Sequence, residues 1–70
     1  MARSARAVIV AAEVSVRAGP DEGNTVLFKL HAGATVERER SEGEWSLLSI
    51  PDGKRGWIPS PDLGLVDAGN

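Results

Sequence analysis

Apolar positions along this chain come in short runs, some alternating with polar residues and some continuous, and clusters of Gly, Pro, Asp and Asn separate them about every 8 to 12 residues. That spacing predicts an all-β domain. No helical stripe is long enough to compete with it. "AVIVAA" and "EVSVR" form an opening strand region broken near Ala12, and the Gly and Pro residues of "AGPDEGNT" mark the loop that follows. "VLFKL" is the next strand. It ends at "HAGA", where Gly33 supplies the positive φ of a tight turn, and "TVERER" continues beyond it.

Hairpin arithmetic then sets the faces. A three-residue loop "SEG", with Gly43 in the left-handed position, pairs Arg40 with Glu44, Glu39 with Trp45, Glu37 with Leu47 and Val36 with Leu48. Period-2 alternation puts Val36, Leu48 and Ile50 on the core face and turns Trp45 and Leu47 outward beside Glu39 and Glu37. A second hairpin turns at "PDGKR". A five-residue loop there brings Leu48 opposite Ile58 and leaves Trp57 on the outer face, whereas a shorter one would put Trp57 inside. The alternating charges of "ERER" place Glu37 and Glu39 on one face and Arg38 and Arg40 on the other, so Arg38 continues the core face opposite Ser46. A small serine there leaves room for the arginine stem to lie along the mouth of the domain with its guanidinium in water.

Pro59 and Pro61 forbid regular ladder pairing in "IPSPDLGLV", which predicts a one-turn 3₁₀ segment over Pro59 to Asp62 and a last strand over Leu63 to Val66. About five short strands at this length fit a small barrel better than a two-sheet sandwich. The predicted core is Val14, Val16, Val26, Leu30, Val36, Leu48, Ile50, Ile58 and Leu63.

Composition narrows the function. A 70-residue chain buries only about 60% of its unfolded surface, and with no cysteine and a single His31 neither disulfides nor a metal site can staple it. Eight basic and ten acidic residues leave a net charge of −2, so no single-sign field invites nucleic acid. No apolar run approaches the roughly 20 residues of a membrane span. The serines have only one histidine to activate them and no G-x-S-x-G elbow, and "AGPDEGN" has neither a P-loop lysine nor EF-hand spacing. Catalytic residues, cofactor and metal are therefore all expected to be none. His31 is expected as a solvated turn residue, and the isolated domain as a monomer without nucleic-acid or inserted-membrane partners.

"VSVRAGPDEGNTVLFKLHAGATVE", then "GEW", then "DGKRGWI" resemble the bacterial SH3 (SH3b) family over about Ala7 to Val66. "VRAGP", "LHAGATV", Trp45 and the "GWI" beyond a Gly-centred hairpin are its most specific elements. The resemblance implies an SH3-like barrel over residues 7–66, with a disordered tail at 1–6 and another tail at 67–70. It also implies a non-catalytic binding or targeting module in a larger bacterial protein, with a protein or peptide partner or, alternatively, peptidoglycan. "TVLFKLHAG" looks most like SH3 domains that follow tetratricopeptide repeats in bacterial membrane or periplasmic proteins, which implies an envelope location.

"GWIPS" is also similar to the groove segment of eukaryotic SH3 domains, whose proline and tryptophan carry over as Pro59 and Trp45. Their tyrosines do not, since the chain has none. The resulting candidate ligand groove is Trp45, Pro59 and Leu47. Against it stands the plain alternative of Trp45 as a cross-strand packing residue, which would leave the domain a spacer. Trp57 is expected to cover the barrel, its ring lying over the Gly56 backbone.

Overall fold

The computed structural model describes residues 5–65. These form seven antiparallel strands: β1 (Ala5–Ile9), β2 (Glu13–Arg17), β3 (Val26–His31), β4 (Thr35–Glu42), β5 (Trp45–Ser49), β6 (Arg55–Pro59) and β7 (Leu63–Leu65). The all-β, SH3-like reading holds. The described residues form seven strands, not about five: the opening region is two full strands, β1 and β2, and the short β7 adds another. The 3₁₀ turn is one residue shorter than expected, Ser60–Asp62 with Pro59 as its extended N-cap. β1 begins inside the segment 1–6 expected as a tail, and Val66 and the 67–70 tail lie outside the described residues.

The strands make one sheet in the order β3-β2-β6-β5-β4-β1-β7. The turn after β3, at one end of this order, is bonded to β1 near the other end: the Gly33 amide donates to the Ile9 carbonyl at 2.8 Å and the Ile9 amide donates to the Ala34 carbonyl at 2.9 Å. Gly33 takes φ 92° there, as the turn requires. The enclosed side holds Ala7, Ile9, Val14, Val16, Val36, Leu48 and Ile58, all buried, with Phe28, Leu30, Ala34, Ile50 and Leu63 packed against them. Ala7 and Ile9 escape the sequence reading because "AVIVAA" is apolar throughout and shows no alternation from which to read a face.

Val26 is not in the core; it is 40% exposed. The cause is a bulge: Val16 pairs with Phe28 but Arg17 pairs with Val26, so Leu27 is an extra residue and Val26 turns to the outer side with Arg17. A second bulge corrects the β4–β5 hairpin. Its loop is the two residues Gly43 and Glu44, with Gly43 at φ 60°, and the pairs are Glu42 with Trp45, Ser41 with Ser46 and Arg40 with Leu47. Glu39 is then the extra residue, and Arg38 pairs with Leu48. Arg38 stays on the core side but faces Leu48 instead of Ser46. Arg40 moves to the outer face.

The second hairpin is tighter than a five-residue loop by one pair, with Leu48 opposite Gly56 and Ser46 opposite Ile58. An even shift preserves faces, so Ile58 stays in and Trp57 stays out. Gly56 itself is buried. A Cβ built on it would collide with Val16 Cγ1, so a core side chain fills the space beside this glycine.

Candidate functional site

On β5 the residues alternate between half-buried Trp45, Leu47 and Ser49 and fully buried Ser46 and Leu48. Trp45 pairs with Pro59 and Leu47 with Trp57 across the β5–β6 ladder, so four apolar side chains share the outer face. Pro59 lacks an amide proton, yet it ends β6 and costs the ladder little; the Ser60 amide beyond it donates to the Glu44 carbonyl at 2.7 Å and holds the turn against the hairpin.

Trp45 and Pro59 line one hollow of about 180 Å³ together with Glu13, Arg17, Glu22 and Asp62. Leu47 does not reach it. That residue lies one step along the face, between Trp57 on one side and Arg40 on the other. Trp57 is capped by the Arg40 guanidinium, 5.8 Å from the ring centroid, and Glu42 in turn pairs with Arg40. Arg17 completes the row, pairing with Trp57 across β2–β6. The two tryptophans thus differ in surroundings: one opens to a hollow, the other is covered by a cation.

The loop 18–25 contributes Glu22 to the lining. Its ends are joined by the Ala18 amide donating to the Thr25 carbonyl at 2.9 Å, and the Asp21 carboxylate accepts from the Gly23 amide at 2.7 Å. The Arg17 Nη1 donates to the Asn24 carbonyl at 3.0 Å, which ties the guanidinium to this loop; Arg17 keeps its charge, so the hollow sets three carboxylates, Glu13, Glu22 and Asp62, against one cation. Glu13 also faces Lys29 and His31 across the β2–β3 ladder, at 4.0 and 3.5 Å. His31 is accordingly an exposed residue at the end of a strand, not in a turn. The acidic wall was not legible in sequence, since Glu13, Glu22 and Asp62 come from three separate segments.

A larger cavity, about 540 Å³, lies between Arg6 of β1, Thr35 to Glu37 of β4 and Ser49 to Pro51 after β5, with no aromatic residue. Among the described residues, no group of three or more His, Cys, Asp or Glu is placed to hold a metal ion, and no helix is long and apolar enough to cross a membrane.

The bacterial SH3 domain family model matches residues 12–64 of the chain. The chain belongs to the bacterial SH3 domain family, whose members are in general non-catalytic modules that bind proteins or cell-wall components. No curated protein matches the chain. The match begins after β1, although Ala7 and Ile9 of that strand are integral to the core.

Proposed function

We propose that this domain is a non-catalytic interaction module that holds an extended peptide or partner loop in the hollow at Trp45 and Pro59. The observation that carries this reading is the placement of a half-buried tryptophan directly across from a proline on the outer face, both lining one concavity. Large aromatic side chains in such positions are the usual anchors of an interface. With no tyrosine to build further slots, the groove offers one aromatic contact, which suits an extended strand better than a proline helix. Affinity in isolation is expected at about micromolar to millimolar. Glu13, Glu22 and Asp62 favour a partner that carries Lys or Arg, with binding that weakens as salt is added.

The experiment is a selection from a displayed random-peptide library, run beside retention on insoluble peptidoglycan, with the wild-type chain and Trp45→Ala. Enrichment of basic extended peptides by the wild type alone supports the reading. Retention on peptidoglycan without peptide enrichment contradicts it in favour of wall targeting, and no capture by either route leaves the domain a spacer.

A further inference from the structure

Arg38 is placed differently from Arg17, Lys29, Arg40, Lys54 and Arg55. It stands on the core side of β4 opposite fully buried Leu48, and its Nε is buried without a hydrogen-bond partner among the described residues. Lys29, Arg40, Lys54 and Arg55 each face a carboxylate, and Arg17 donates to a carbonyl. The Arg38 Nε has almost no accessible surface, so what the side chain offers a ligand is its terminal Nη groups.

The space beside it is a cavity of about 310 Å³ at one mouth of the barrel, lined by Arg38, Ser41, Ser46, Ser60, Leu63 and Leu65. Ser46 is 2% exposed, and its hydroxyl shares a hydrogen bond of 2.7 Å with the Ser60 hydroxyl. That bond uses one of the two hydroxyl protons, so the accepting hydroxyl keeps a proton to donate elsewhere. The donors available are therefore the Arg38 Nη groups and one hydroxyl, with an apolar wall from Leu63 and Leu65. Two parallel N–H groups match the two oxygens of a carboxylate. One positive charge balances a monoanion and falls short of a phosphate dianion.

We infer that this cavity binds an aliphatic carboxylate, with Arg38 holding the carboxylate, a hydroxyl of the Ser46–Ser60 pair as the further donor, and the aliphatic body against Leu63 and Leu65. The site is separate from the Trp45 hollow. Ser60 faces the cavity, while its neighbour Pro59 and Asp62 line the other side of the same turn. The carboxylate belongs either to a free short-chain acid or to the C-terminus of a peptide that ends in an aliphatic residue.

The test is an NMR titration of the full ¹⁵N-labelled chain with 3-methylbutanoate, following the Arg38 Nε–H signal and the Ser46 and Ser60 amides, with 3-methylbutanamide and inorganic phosphate as controls. The expected result is a saturable shift with a dissociation constant of roughly 1 mM for the acid, absent with both controls. Arg38→Met should abolish the shift while the spectrum stays dispersed. Ser60→Ala should weaken binding several-fold and serves as the test variant should Arg38→Met not fold. Tighter binding of N-acetyl-alanyl-leucine as free acid than of 3-methylbutanoate identifies a peptide C-terminus as the source, and equal or weaker binding identifies the free acid. An unmoved Arg38 signal at ~50 mM acid, or equal shifts with the amide or with phosphate, overturns the proposal.

Discussion

Trp45 and Pro59 stand directly across from one another on β5 and β6, outside the barrel, while their neighbours Ser46 and Ile58 form the next pair inside it. A residue in the first pair can be truncated without opening the core. Trp45→Ala is therefore expected to cost about 1 kcal/mol, the scale of a cross-strand pair, as measured by chemical denaturation. A loss several times larger would make Trp45 a structural residue first.

Leu48 and Val26 provide the sharpest contrast in packing. Leu48 is fully buried, so Leu48→Ala should cost about 2 to 5 kcal/mol, a large fraction of the stability of so small a domain. Val26 lies beyond the bulge at Leu27, and Val26→Ala should stay within roughly 0.5 kcal/mol. Equal losses in urea unfolding would mean that the bulge is misplaced.

Gly56 leaves no room for a side chain. A Cβ there collides with Val16 Cγ1 and comes within 3.0 Å of the Arg17 carbonyl oxygen, so Gly56→Ala should destabilise by about 1 to 3 kcal/mol. In a double-mutant cycle the penalty should shrink in a Val16→Ala background, because the colliding methyl is gone. Strict additivity would remove Val16 as the cause.

Arg38 contributes to stability through its stem, which lies on the core side of β4 next to Leu48. Arg38→Met should be neutral or mildly stabilising in thermal unfolding, since it keeps the apolar length and removes a buried donor without an acceptor. Arg38→Asp should lower the midpoint. The reverse order would place the side chain outside the barrel.

Face assignment was legible in sequence wherever apolar and polar residues alternate. Val36, Leu48, Ile50 and Ile58 turned inward and Trp45, Leu47 and Trp57 outward as the period of 2 requires, even though the second hairpin is one pair tighter than expected. The two bulges were not legible, because the extra residues Leu27 and Glu39 carry no glycine or other compositional mark. Each bulge reversed the residues on one side of it: Val26 went out of the core, and Arg40 went to the outer face, where it caps Trp57. That Trp45 and Pro59 share the outer face followed from parity and family resemblance, but not that they stand directly opposite, since a five-residue second loop sets Leu47 against Pro59. The acidic wall beside them depends on how β2, the loop 18–25 and the 3₁₀ turn converge, which no local pattern encodes.

The measurement that bears most directly on the ligand surface is an NMR titration of the ¹⁵N-labelled domain with a basic peptide enriched from the library, following the indole N–H signals of both tryptophans. The expected result is shifts centred on Trp45, smaller ones at Trp57 beneath its Arg40 cap, and loss of the whole response in Trp45→Ala. Saturable binding that moves the loop 18–25 or the cavity at Ile50 and Pro51 and leaves the Trp45 indole unmoved would contradict it.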